Sequence, residues 1–98
     1  MYKSADRQDV FYFRVSCSDW ENIVVAKDFS DAANLGLKEM LEKFKKNLNL
    51  SFTIVVAKIL ENEILTEFFY TPKVLSDIGL HKLSKEYDEF YKNLLDKN

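Results

Sequence analysis

Cysteine, proline and glycine are all scarce in this chain of 98 residues, which contains one cysteine, one proline and two glycines. A single thiol excludes an intramolecular disulfide, so no such cross-link can stabilise the fold. The low proline and glycine content argues against long disordered or low-complexity segments. We therefore predict a single α+β domain at residues 9–98. Residues 1–8 are polar and lack a hydrophobic period, so we predict that they form a loose arm.

The sequence also lacks the motifs that usually carry chemistry. It contains no C-x-x-C or H-x-x-x-H pair and no acidic calcium loop, and it has no glycine-rich phosphate loop. Cys17 and His81 are the only thiol and the only imidazole, and they could form an activated nucleophile only if the fold brought them together. Cys17 falls in phase with buried strand positions, and His81 follows Gly79 at a helix junction. We therefore predict no catalytic residue, no cofactor, no metal and no enzymatic activity.

Acidic and basic residues are nearly balanced, because the formal net charge is only −2. Such a chain has no overall field that would attract a polyanion, so nucleic acid is not favoured as a partner. The longest apolar stretch, Ile54–Ala57, is far too short to span a bilayer, and the first residues lack the apolar run of a signal peptide. We therefore expect a cytoplasmic protein with no membrane partner.

Two pairs of strands follow from the hydrophobic period. Residues 9–17 alternate between apolar and polar positions, so the odd-numbered residues from Phe11 to Cys17 should face a core. Turn-forming residues at 18–21 and a β-branched run at 22–27 complete a first hairpin. Residues 50–60 are apolar on both faces, which is typical of a central strand, and residues 64–71 should return as its hairpin partner.

Three helices complete the pattern. Asp28 and Ser30 carry helix-start oxygens, and the apolar residues that follow recur at spacings of three and four as far as Leu48. Gly36 lies inside this helix, where its missing side chain would allow a close approach. Thr71-Pro72 should begin a short helix, with the threonine hydroxyl as its cap, and Gly79 should end it before a last amphipathic helix.

The predicted fold is therefore α+β, with two layers and a four-stranded, mainly antiparallel sheet in the order β-β-α-β-β-α-α. A crossover from the second to the third strand favours the spatial order 2-1-3-4, because the third strand can then pair beside the first. The C-terminal helices have three possible places. They could extend the first helix layer, cover the other face of the sheet, or reach across to a second copy.

Aromatic side chains are abundant, at 14% of the chain, and two segments contain three in a row. Consecutive strand residues point to opposite faces, so the triplets Phe11–Phe13 and Phe68–Tyr70 cannot be hidden against one core layer. Rings that combine apolar and polar character are common at protein interfaces. The sequence therefore predicts a protein-interaction or self-associating domain, of the kind found in viral or bacterial accessory proteins, that forms a homo-oligomer. The predicted interface residues are Tyr12, Trp20, Phe69, Tyr70 and Tyr91.

Two alternatives remain open from the sequence. The chain's own C-terminal helices could cover the second ring surface, and Trp20 could fold back on its own strands. Sheet aromatics could also stack on nucleic-acid bases, with Lys43, Lys45 and Lys46 contacting phosphates. The passage V-A-K-D-F-S-D-A-A-N-L-G-L, at residues 25–37, resembles the strand-to-helix passage of many small α+β domains, including antitoxin-like ones of the HicB kind. We assign no family and no function from these thirteen residues.

Overall fold

The computed structural model describes residues 10–44 and 50–96 of the chain. The predicted loose arm and Leu48 lie outside these residues. The described part has the predicted order β-β-α-β-β-α-α and forms an α+β fold. Its elements are β1 (Phe11–Cys17), β2 (Trp20–Ala26), α1 (Phe29–Phe44), β3 (Thr53–Ile59), β4 (Ile64–Tyr70), α2 (Thr71–Asp77) and α3 (His81–Asp96).

One sheet contains the four strands in the order β2-β1-β3-β4, as predicted. Every neighbouring pair is antiparallel. β2 and β3 therefore run in the same direction, because both are antiparallel to β1, and α1 is the crossover that joins them. β3 lies between β1 and β4, which explains why its residues are apolar on both faces.

The hydrophobic core lies between the sheet and α1. The predicted inward positions Phe13, Val15 and Cys17 are at most 2% exposed, so the period of β1 is confirmed. Their partners from α1 recur at helical spacing, and β3 contributes the even-numbered positions of its strand. The buried partners are Ala32, Ala33, Leu37 and Met40 of α1 and Ile54 and Val56 of β3.

The starts of the helices differ in how well the sequence predicts them. Asp28 caps α1 as expected, because its Oδ1 accepts a hydrogen bond of 2.8 Å from the amide of Asp31. The predicted cap of α2 is wrong. Tyr70 is the N-cap residue, without a side-chain cap, and the hydroxyl of Thr71 instead donates to the carbonyl oxygen of Ser51 at 2.6 Å.

Of the two C-terminal helices, only α2 extends the layer formed by α1, which was the first of the three places that the sequence allowed. α2 extends the helix layer, because Val74 and Leu75 are buried in the same core as α1. Gly79, with φ of +92°, follows the C-cap residue Ile78 of α2, where the helix has ended as predicted. α3 then packs mainly against α2. α3 reaches the other face of the sheet at Tyr70, the last residue of β4, and no helix in the described part of the chain packs across the rest of that face.

Candidate functional site

The second face of the sheet, which we call the open face, is formed by alternate residues of all four strands. The strand registers place these residues side by side, because directly opposed residues point to the same face. The open face comprises Tyr12, Arg14 and Ser16 of β1, Glu21, Ile23 and Val25 of β2, Thr53, Val55, Ala57 and Ile59 of β3, and Ile64, Thr66, Phe68 and Tyr70 of β4.

The open face is strongly apolar and exposed to solvent. Phe68 is 69% exposed, Tyr12 61% and Tyr70 39%, and since a buried ring covers about 150–250 Å², these three rings leave roughly 250–420 Å² in water. Four aliphatic side chains between 42% and 58% exposed add to this area. They are Ile23, Val25, Ile59 and Ile64. Contiguous apolar surface of this size on a folded chain is characteristic of an interaction site.

Two charged side chains of opposite sign interrupt the apolar surface. Arg14 lies on the central strand β1, between Ile23 and Ala57 in the neighbouring strands. Glu21 lies on the edge strand β2, directly opposite Ser16. Neither charged side chain forms an ion pair with any residue in the ranges 10–44 and 50–96. The open face is therefore electrically neutral, with one unpaired charge of each sign.

The predicted interface residues do not lie on one surface. Tyr12 and Tyr70 are on the open face. Phe69 points to the opposite face, because it pairs with the buried Ile54, and it packs against the core. Trp20 is only 8% exposed. The first turn is shorter than expected and contains only residues 18 and 19, so Trp20 begins β2 opposite Cys17 and turns toward the helix layer.

Tyr91 is also buried, at 4% exposure, and it fastens α3 to the rest of the domain. Its hydroxyl donates a hydrogen bond of 2.9 Å to the carbonyl oxygen of Leu50. Its ring meets that of Phe52 edge to face, with 5.1 Å between the centroids. Burial raises the pKa of Tyr91 to about 12, and the nearby Tyr87 adds to this effect. Tyr91 is therefore a structural anchor within one chain.

Tyr70 joins the open face to α3 through its hydroxyl. This group donates a hydrogen bond of 2.6 Å to Oδ1 of Asp88, and Asp88 also forms a 3.0 Å ion pair with Lys92. The hydrogen bond raises the pKa of Tyr70, with burial as a smaller cause, and it is the main reason why the pKa of Asp88 is lowered. The phenol is thus held at the rim of the open face, where β4 ends.

A second apolar strip runs along α3. A shallow groove of about 450 Å³ follows part of this helix. Phe90 is 55% exposed and Leu95 60% exposed. Leu50 closes one side of the groove, whose lining residues are Leu50, Leu83, Glu86, Tyr87 and Phe90. Tyr87, which lines the groove, already contacts the ring of the buried Tyr91, with 5.8 Å between the centroids.

The residues of the nucleic-acid alternative are separated in space. Lys43 lies in the last turn of α1, in the helix layer, whereas Tyr12 lies on the other side of the sheet. Lys45 and Lys46 lie outside the described residues. The open face itself contributes one basic side chain, Arg14, and one acidic side chain, Glu21. The aromatic and basic halves of that alternative therefore do not form one surface in the described part of the chain.

Cys17 and His81 have different neighbours. The Cys17 thiol is buried and lies 3.5 Å from Oγ of Ser51, while the exposed His81 ring has Nδ1 3.1 Å from Oγ of Ser76. Residues 10–44 and 50–96 contain no group of three or more His, Cys, Asp or Glu side chains that could hold a metal. Among the same residues, no helix combines the length and the apolar character needed to cross a membrane.

Sequence reasoning missed most of the open face. It identified Tyr12 and Tyr70, but not Phe68, which has the most exposed large apolar side chain among the residues that the structure describes. It also missed the alternation in β2, where Ile23 and Val25 are exposed while Val24 and Ala26 are buried. A strict period of two applied to residues 22–26 would have indicated this surface.

Comparisons of the chain with models of protein families, with curated proteins and with solved structures give no significant match to any of them.

Proposed function

We propose that this chain is a non-enzymatic, cytoplasmic protein-interaction domain that associates with itself through the open face. The observation that carries the proposal is the exposed apolar surface on all four strands, which a described helix, α3, contacts at the Tyr70 rim and which no described helix crosses. Covering this surface removes apolar area from water, which is the main driving force for association. A reducing compartment agrees with a single thiol that is buried rather than cross-linked.

The size of the open face supports self-association. A standard interface takes about 800 Å² from each partner, of which a little more than half is apolar, or roughly 450 Å². The three exposed rings supply a large share of this apolar area, and the four aliphatic side chains supply more. A second copy of the chain brings a surface of equal size and character, so that two open faces can cover one another.

Sedimentation equilibrium tests this proposal over chain concentrations from about 1 μM to about 1 mM, which spans micromolar to millimolar affinity. We expect the average mass to rise from one chain toward two. Phe68→Lys should weaken association by at least about tenfold, because it places a charge in the apolar interface. The control is Leu65→Lys, which changes a 45% exposed residue of the same strand on the opposite face.

Two results would contradict the proposal. The first is a wild-type chain that keeps the mass of one copy throughout the concentration range. The second is equal weakening by Phe68→Lys and Leu65→Lys, which would show that the open face has no special part in the association. Circular dichroism of both variants establishes that they are folded.

A further inference from the structure

The two inner rows of the open face suggest how a second copy would lie on it. One row runs across all four strands through directly opposed residues, and the next row is displaced by two residues along each strand. The first inner row is Ile23, Arg14, Ala57 and Thr66, and the second inner row is Glu21, Ser16, Val55 and Phe68.

On three of the four strands, β1, β3 and β4, one inner row contains the larger side chain and the other contains the smaller one. On β1 the long Arg14 stands beside the short Ser16, and on β4 the large Phe68 stands beside Thr66. On β3 the small member, Ala57, is in the first inner row. Stacked sheets lie about 10 Å apart and their side chains interdigitate, so a large residue on one sheet needs a small residue opposite it on the other.

We propose that a second copy stacks on the open face, sheet against sheet, about a twofold axis that crosses the strands midway between the two inner rows. This axis exchanges the inner rows, which places Phe68 over Thr66 of the second copy and Arg14 over Ser16 of the second copy. On β1, β3 and β4 the larger side chain of each pair then meets the smaller one, whereas on β2 Ile23 meets Glu21 of the second copy. The inference rests on the proposed function and adds the partner and its orientation.

The charges of the open face agree with the same axis. Glu21 is the direct cross-strand neighbour of Ser16, and adjacent strands are about 4.8 Å apart. Arg14, which lies over Ser16 of the second copy, is therefore beside Glu21 of the second copy. Because the contact is isologous, it contains two such pairs. Each of the two unpaired charges then gains a partner of opposite sign, which a buried charge needs.

A complementary pair of charge reversals tests this arrangement. Arg14→Glu gives the open face two negative charges, and Glu21→Arg gives it two positive charges. We expect each variant alone to associate at least about tenfold more weakly than the wild type, since like charges meet across the axis. An equimolar mixture of the two should form a heterodimer with an affinity close to that of the wild type, because both cross-axis pairs are restored.

Non-specific attraction between oppositely charged chains needs a matched control. Lys38 and Glu42 are exposed on α1, away from the open face. Lys38→Glu and Glu42→Lys change the net charge by the same amounts, and we expect each to associate like the wild type. Thermal unfolding of every variant by circular dichroism separates weaker association from loss of folding, because Arg14 and Glu21 are also near neighbours within one chain.

The possible outcomes distinguish this inference from the proposed function. If the wild type associates but the mixture of charge reversals is as weak as each variant alone, the orientation is wrong and self-association stands. A wild type that stays a single chain overturns both. A single chain that binds a fluorescent RNA oligonucleotide, with binding lost in Phe68→Lys, would assign the open face to nucleic acid instead.

Discussion

Gly36 of α1 and Val15 of β1 are so close that a β-carbon at position 36 would lie 2.7 Å from Cβ of Val15. Real β-carbons do not approach other carbons so closely, so the absence of a side chain lets α1 lie directly on the centre of the sheet. This contact fixes the single helix layer on the face that contains Val15. The opposite face is the open face.

Replacing Gly36 by alanine should therefore destabilise the domain. Alanine is better than glycine in a helix by about 1 kcal/mol, but overpacking in a close-packed core typically costs about 1–3 kcal/mol or somewhat more. Three atoms of Val15 would lie within 2.9 Å of the new β-carbon, so the upper end of this range applies and we expect a net loss of about 2 kcal/mol in the free energy of unfolding, measured by urea denaturation.

Val15→Ala provides the control for this contact. It removes the two γ-carbons that would lie 2.7 and 2.9 Å from the new β-carbon at position 36. The cost of Gly36→Ala should be smaller in the Val15→Ala background than in the wild type. An alanine at position 36 that leaves the domain equally or more stable would refute the close contact.

The anchor at Tyr91 gives a second prediction. Tyr91→Phe keeps the ring but leaves the carbonyl of Leu50 without its donor. We expect a loss of about 1–2 kcal/mol in the free energy of unfolding, measured by chemical denaturation. Tyr12→Phe is the matched control, because its hydroxyl belongs to a side chain that is 61% exposed, and it should change the stability little. Equal effects of the two substitutions would argue against the anchor.

Burial of Tyr91 also predicts a pH dependence. The pKa of this phenol rises from 10.0 to about 12 in the folded chain. Above pH 10 the unfolded chain releases the proton while the folded chain keeps it, so the free energy of unfolding should fall as the pH rises from 10 to about 12. Denaturation at several alkaline pH values measures this slope. The slope should be smaller in Tyr91→Phe, and an unchanged slope would assign it to other groups.

The contact between Tyr70 and Asp88 predicts a change at acidic pH. The hydrogen bond from the phenol hydroxyl is the largest single cause of the lowered pKa of Asp88, and Lys92 lowers it further through a hydrogen bond and through its charge. Tyr70→Phe should therefore raise the pKa of Asp88 toward its ordinary value, and Lys92→Gln should also raise it. Carboxyl NMR titration measures both. An unchanged pKa of Asp88 in Tyr70→Phe would show that the phenol does not influence this carboxylate.

The alternation of apolar and polar residues in the strands, together with the residues that begin and end helices, was sufficient to predict the architecture. The alternation from Phe11 to Cys17, the apolar character of both faces of β3 and the oxygen of Asp28 depend on local geometry, and all three are confirmed. Gly36 was also read correctly, because a glycine within an apolar helix stripe has few other physical explanations. The strand order followed from the crossover through α1, because β3 then runs in the same direction as β2 and can pair beside β1.

The sequence was less informative about which ring faces which layer. The triplet Phe68–Tyr70 places aromatic rings on both faces of the sheet, so the residue types alone do not show which ring is buried. Only the pairing of Phe69 with Ile54 in β3 directs Phe69 toward α1. That register depends on the tight loop after β3, where the amide of Leu60 donates to the carbonyl of Glu63. Similarly, the two-residue turn before Trp20 determines its burial, and turn length was not evident from residue types alone.

Thiol labelling offers the most direct test of the central claim that a second copy covers the open face. Ile23→Cys places a thiol in the first inner row, and Leu65→Cys places one on the opposite face of the sheet. Native Cys17 is only 2% exposed, so it should not react with the thiol reagent in either dilute or concentrated solutions of the chain. The rate of reaction with a small thiol reagent is measured by mass spectrometry at low and at high chain concentration.

We expect Cys at position 23 to react rapidly in dilute solution and at least about tenfold more slowly when most chains are associated, because bound chains exclude solvent from the interface. Cys at position 65 should react at the same rate in both solutions. An equally rapid reaction at position 23 at every concentration would contradict the claim.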